Sequence, residues 1–320
     1  MGGWFLIRLV LRRFLFGLVT LLVVSVVVFG GTEILPGDVA EAVLGQGATP
    51  EAVAAVRTEL NLDRPAYVRY FDWLGHLATL DLGNSLVSGV PVSQILAPRL
   101  PKTLLLGGIA ALIAVPLAVG TGILAAMRPG GLFDRGATAG SIASISSPEF
   151  LVSTILVLVF AVQLRWVPAI VRIPDGAAFQ AYATALFLPV STLVIAAFAP
   201  IMRMTRSALL NVMSQPSIEM AILKGVPRRR IIVRHALPNA VAPIVNVVAV
   251  NLAYIIGGVV VVEQIFSFPG VANLMVDGVS SRDIPLVQVC AMFFCGLYVL
   301  LNLMADLISI LANPRLRHPR

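Results

Sequence analysis

Charges are sparse and bunched along this chain, and six long apolar runs lie between them. Phe14 to Thr32, Thr103 to Met127, Gly176 to Met202 and Ala236 to Val262 carry no charged residue, Gly136 to Leu164 carries only Glu149, and Ile284 to Pro314 only Asp306. Each run reaches the roughly 20 residues that an α-helix needs to cross a bilayer. The runs lack the alternation of barrel strands, and lipid offers the backbone no water, so helices are the spanning structure that fits. The pattern predicts an all-α polytopic membrane protein with six transmembrane helices, at about 11–32, 103–127, 137–164, 180–204, 239–262 and 286–312, forming a single membrane domain over 1–320. Composition agrees. Hydrophobic residues make up 58% of the chain and charged residues 12%, where soluble domains carry about 25% charged residues. Arg12 and Arg13 precede the first run as in a signal peptide. That run outlasts an h-region of about 7 to 15 residues and no small-x-small cleavage site follows, so an uncleaved anchor is expected.

The basic residues orient the helices. With the N-terminus inside, the inner segments hold 15 of the 23 Lys and Arg residues and only Asp134 and Glu219 as acids. Because Lys and Arg resist translocation, both termini are expected in the cytoplasm, residues 33–102 outside, and a cytoplasmic loop over 205–238. The pI of about 10.1 then requires no nucleic acid partner, the other common meaning of a basic balance.

In the outer segment, Thr49 with Pro50 and Glu51 marks a helix start. Tyr67, Tyr70, Phe71, Trp73 and Leu74 follow helical apolar spacing, with Arg69 and Asp72 on the other side; such a helix is expected to cap the bundle or lie at the interface. "FSFPG" at 266–270 reads as a turn in a short outer loop.

Enzyme signatures are missing from the sequence. It contains no G-x-x-x-x-G-K-[ST], H-E-x-x-H or G-x-S-x-G. His76, His235 and His318 stand apart, without partners at ligand spacing. Cys290 and Cys295, five apart on one predicted helix, would lie roughly 8 to 9 Å apart, too far for a disulfide. They read as small buried apolar residues. No catalytic, cofactor or metal site is predicted.

Two acids fall inside predicted spans, where a charge costs at least about 2.5 to 3.5 kcal/mol and usually faces a polar interior. Glu149 follows Pro148, which removes a helical N–H, and Asp306 has Asn302 one turn before it. Either reading stays open for them: a hydrogen bond to a neighbouring helix, or a place on a translocation pathway. On a pathway, Glu149 would favour substrates carrying positive charge.

Residues 214–239 parse as two short helices. Ser214 is placed as a cap, Pro216 in the first turn, Ile218, Ala221 and Ile222 as an apolar stripe, and Gly225 as a left-handed stop. Pro227 starts a second helix that carries Arg228, Arg229 and Arg230 toward Pro238 and the fifth span. Glu219 lies near the positive N-terminus of the first helix, a compact knob suited to a groove on another protein. The arginines also have the simpler use of holding the loop at anionic headgroups.

"EMAILKG" at 219–225, then nine residues, then "HALP" at 235–238 resembles the EAA loop of ABC importer permeases. Glu219, Ala221, Gly225, Leu237 and Pro238 match its pattern; Met220 and His235 depart from it. "LPGD" at 35–38, "LDRP" at 62–65, "DLGNSL" at 81–86, "FDR" at 133–135, "VVVVEQIFSFPGVANLMVDGVSSRDIPLVQ" at 259–288 and "NPR" at 313–315 are similar to the dipeptide, oligopeptide and nickel branch. Glu149 departs from it, since a small polar residue is usual after that proline. The resemblance implies a type I ABC importer permease fold in a bacterial inner membrane, of the dipeptide permease B type. It implies a heterodimer with a paralogous permease, two ATPase subunits that bind ATP and Mg, and an extracytoplasmic solute-binding protein, in the lipid bilayer. Glu219, Met220, Ala221, Lys224, Gly225, Arg228, His235, Leu237 and Pro238 are then the ATPase-coupling residues, and Glu149, Asn302 and Asp306 pathway candidates. Nickel or another small solute is an alternative to peptide. A proton-coupled secondary transporter using Glu149 and Asp306 is the alternative of another class, and it predicts an inverted repeat that the sequence does not display.

Overall fold

A computed structural model describes residues 2–34, 49–59, 63–172 and 178–312. "LPGD" and "NPR" lie outside the described residues, as does part of "LDRP". The described chain is helical, and its one extended pairing is an isolated bridge between Asn84 and Pro91. The helices are α1 (Gly2–Ile34), α2 (Pro50–Glu59), α3 (Ala66–Ala78), α4 (Val92–Leu96), α5 (Leu100–Met127), α6 (Leu132–Ser146) and α7 (Glu149–Leu156) in the first half. α8 (Phe179–Met213), α9 (Pro216–Leu223), α10 (Arg228–Ile231), α11 (Leu237–Ile265), α12 (Val271–Ser281) and α13 (Ile284–Ala312) follow. Five helical segments are long and apolar enough to cross a membrane, and a sixth span is formed if the bent pair of α6 and α7 counts as one.

That pair corrects the expectation of a continuous span over 137–164. α6 and the helix from Glu149 to Gln163 meet at 105°. Ser147 is extended, with φ −97° and ψ 121°, the conformation forced on a residue before proline. Serines take up the loosened backbone: Ser147 Oγ donates to Ala143 O at 2.9 Å, Ser144 Oγ to Ile195 O at 3.1 Å and Ser153 Oγ to Glu149 O at 2.9 Å. Glu149 therefore opens a helix rather than sitting mid-span. α7 then widens into a π-helical turn, Val157–Gln163.

α8 is also longer than predicted. Nothing between Arg203 and Met213 stops a helix, so the loop expected from 205 begins only after Met213. At 1.5 Å per residue α8 extends roughly 50 Å, well beyond a hydrocarbon core of about 30 Å.

The chain gathers into two compact units. One comprises Met1–Phe14, Leu104–Phe268 and Leu300–Arg320. Its core sets Leu106, Ala110, Ala114 and Ala118 of α5 against Leu188, Leu193, Ile201 and Met202 of α8 and Val259 and Val262 of α11. Small residues let the helices close up: a Cβ on Gly122 would stand 2.7 Å from the Met202 carbonyl oxygen.

The other unit comprises Leu15–Thr103 and Pro269–Val299. Val92 and Leu96 of α4 pack with Val271 and Leu274 of α12 and with Leu286, Val289 and Cys290 of α13. Asp283 accepts hydrogen bonds from Ser85 Oγ and, at 3.1 Å, from the Leu86 N–H, which joins "DLGNSL" to "SRDIP". Thr103 Oγ1 accepts from the Val271 N–H at 2.8 Å. The Thr49 cap forms as expected, accepting from the Ala52 N–H at 3.3 Å. α3 packs on α1 through Tyr70 and Trp73 against Phe29, with Tyr70 Oη 2.9 Å from Ser25 Oγ. Its facing differs from the expectation: Arg69 turns inward to grip Glu33 with bonds of 2.8 and 2.6 Å, while Tyr67 and Phe71 are exposed. A bidentate ion pair fixes the inward face here, and Phe71 keeps only an edge contact with Tyr70.

Candidate functional site

The loop from α8 to α11 is built as a knob on a buried base. Gln215 takes the extended N-cap position of α9, and Pro216 fills the first turn, where no N–H is needed. Ser214 does not cap this helix. It ends α8, and its Oγ donates to Asn211 O at 2.9 Å. α9 stops as predicted: Gly225 is left-handed, with φ 71°. The Val226 N–H reaches Ala221 O at 3.2 Å and the Gly225 N–H reaches Ile222 O at 2.9 Å, the bond pair of a Schellman cap.

One face of α9 is anchored. Ile218, 1% exposed, joins Leu209 and Val212 of α8, Ala126 of α5, Ile231 of α10 and Ile232, Ala236 and Ala240, with Ala221, Val226 and Leu237 packed alongside. The other face is bare: Met220, Ile222 and Leu223 are 55%, 53% and 76% exposed. Glu219, Lys224, His235 and Pro238 are also exposed, and the Arg228 side chain lies outside the described set. The expected stripe is thus split, with Ile218 and Ala221 inward and Ile222 outward.

From Arg228 the helix continues without a break into α11, through a π turn at Ile232–Ala236. Pro238 has no N–H to give the carbonyl four residues back, and a widened turn accommodates it. Asn239 Nδ2 donates to His235 O at 2.6 Å. Near the end of α8, Arg206 clasps Asp134 of α6 with both Nε and Nη2, the latter at 2.8 Å, and Asp134 also accepts the Gly130 N–H at 2.8 Å. The sequence reading gave this pair no role. Its signal was an acid at the start of a helix and a base two residues beyond the predicted end of a span.

Glu149 lines a small open recess with Leu193, Ala196, Ala197 and Pro200 of α8 and Asn251, Tyr254 and Ile255 of α11. Residues 251, 254, 255 and 258 share one face of α11. At the last of them, a Cβ on Gly258 would come within 3.1 Å of both Glu149 carboxylate oxygens and of Leu193 Cδ2. The glycine lets α11 pass close to the carboxylate. Asn302 and Asp306 are not among the residues around this recess. Asp306 instead pairs with Arg13 at 2.9 Å. Among the described residues no group of three or more His, Cys, Asp or Glu side chains is placed to hold a metal ion.

A helical chain with spans long enough to cross a membrane, carrying a knob at the spacing of the EAA loop, matches two family profiles over most of its length. Residues 118–318 match the profile described as binding-protein-dependent transport system inner membrane component, and residues 6–107 match that of the N-terminal part of such membrane components. The chain belongs to this family. As an inner membrane component it is a multi-pass transport subunit rather than an enzyme. It is 37% identical over 309 residues to a protein of Sinorhizobium fredii named as a peptide ABC transporter permease, covering 97% of this chain and 99% of the relative. It is 36% identical over 310 residues to a protein of Brucella abortus named as a peptide transport system permease, covering 97% and 99%. A glutathione transport system permease protein of Salmonella typhimurium is 34% identical over 313 residues, covering 98% and 100%. The family membership thus accords with the permease resemblance read from "EMAILKG" and "HALP".

Proposed function

We propose that this chain is one permease subunit of an ATP-driven importer for di- or oligopeptides, and that it forms half of the translocation pathway beside a paralogous permease. An extracytoplasmic solute-binding protein delivers the peptide, and two ATPase subunits holding ATP and Mg drive the cycle from the cytoplasm, where both termini and α9 lie. Relatives named for peptide and glutathione transport support a peptide-like substrate.

The observation that carries the reading is the split character of α9. Its bare apolar tip of Met220, Ile222 and Leu223 suits a groove on an ATPase, and its other face is buried against α5, α8 and α10. Close-packed interiors transmit strain. A push on the tip therefore passes through Ile218 to α8 and α11, the two helices that also wall the Glu149 recess. In this mechanism Gly225 and Pro216 fix the ends of the lever, and Asp134 with Arg206 ties α8 to α6 so that the helices move together.

The test is co-purification with the products of neighbouring genes, followed by ATP hydrolysis with and without Glu219→Ala and Ile222→Asp. Both side chains are exposed, so neither change empties the core. Loss of ATPase association, or of peptide-stimulated hydrolysis, is the expected result. Uptake by this chain alone, abolished when the proton gradient is collapsed and untouched by these changes, would replace the importer with a secondary transporter. ATP-driven uptake of nickel in place of peptide would keep the architecture and change the substrate.

A further inference from the structure

We propose that the recess at Glu149 is a subsite for a primary ammonium group, the amino end of a transported peptide. This rests on the peptide reading above and adds which end of the substrate is held and by which atoms. None of the ion pairs found among the described residues includes Glu149. A carboxylate in a membrane span is costly without a counter-charge, and this one lines an open recess beside the close approach of α11 at Gly258.

The rest of the lining offers acceptors. Asn251 is 7% exposed and its amide donates to Val247 O at 2.8 Å, so its Oδ1 is the group left for a ligand. Pro200 has no N–H, which leaves the carbonyl of Ala196, another lining residue, without its usual helical donor. The Tyr254 hydroxyl accepts as readily as it donates. An alkylammonium carries three donors and no acceptor, which matches one carboxylate and two or three neutral oxygens. A substrate carboxylate would meet like charge at Glu149. The recess is small and open on one side, unlike sites that enclose a whole ligand. It takes one end of a peptide and leaves the remainder in the pathway.

The experiment is carbodiimide labelling of the intact complex, purified with its partner subunits, with the modification of Glu149 read by mass spectrometry. Alanyl-alanine is expected to slow that labelling at least about fivefold, and N-acetyl-alanyl-alanine, which lacks the ammonium, to leave it unchanged. Asn251→Leu removes a neutral acceptor to a charged donor and should raise the alanyl-alanine concentration for half protection about tenfold or more. Equal protection by the two peptides, protection by neither, or no labelling of Glu149 at all overturns the subsite. Protection by alanyl-alanine in a complex that carries no peptide into vesicles would sink the transport reading and leave the subsite standing. Peptide uptake with Glu149 unprotected would do the reverse.

Discussion

Asp134→Ala should be among the most damaging single changes outside the apolar core. The Asp134 side chain is 3% exposed and that of Arg206 26%, and the change removes two charge-assisted bonds together with the acceptor for the Gly130 N–H. Breaking a buried pair from one side costs about 3 to 5 kcal/mol, because the other charge is stranded. Arg206 retains some access to solvent, which places the expected loss near the bottom of that range, at about 3 kcal/mol. Arg206→Met strands the more deeply buried partner and should cost at least as much. In the double variant no charge is stranded, and such replacements are often close to neutral. The two single losses should therefore exceed the loss in the double variant by about 2 kcal/mol or more. Unfolding titrations in detergent, followed by circular dichroism, measure all four proteins. Additivity within about 0.5 kcal/mol would refute the reasoning, since it would mean the two side chains do not act on each other.

Two neighbouring glycines of α11 make a sharper comparison. Gly257 has open space where a Cβ would go, whereas at Gly258 the Cβ would crowd Glu149 and Leu193 at 3.1 Å. Gly257→Ala should stabilise by up to about 1 kcal/mol through helix propensity, and Gly258→Ala should fall below it by about 1 to 2 kcal/mol in the same titrations. In the other unit, Ser85→Ala takes a donor from buried Asp283. A loss of about 1 to 3 kcal/mol, with faster amide exchange at Leu86, is the expected result by hydrogen exchange and unfolding together.

The spans were legible because lipid leaves a chain only a few choices: wherever charge is absent for about 20 residues, a helix follows. The knob was legible for a local reason, since Pro216, Gly225 and Pro227 punctuate the chain through their own backbones. Ser214 misled because its hydroxyl bonds back to Asn211 O in the preceding turn rather than forward to the helix that follows. The break at Ser147 was signalled by Pro148, yet proline inside α8 and α11 does not break those helices. Context supplied by neighbouring helices decides which proline bends and which is absorbed. Asn251, Tyr254 and Gly258 share a helix face that sequence spacing displays, but nothing in the sequence states that Glu149, a hundred residues earlier, lies against it. α4 and α12 are short helices stabilised by contacts with each other and with α13, and "FSFPG" pointed only to the turn before α12.

The serines around the 105° bend bear on how the chain enters the membrane during synthesis. α6 holds 15 residues and α7 only eight before its widened turn, so neither spans alone. The pair also carries Asp134, Ser141, Ser144, Ser147, Glu149 and Ser153 into or beside lipid. Ser144 finds its acceptor at Ile195, Ser153 lies 3.5 Å from Thr192 Oγ1, and Asp134 finds its counter-charge at Arg206. All three partners belong to α8, which leaves the ribosome later. Until then the polar groups of this bent pair lack those partners, and lipid offers them none. Stable seating of the pair in the membrane thus waits for α8, which supplies the acceptors and the counter-charge.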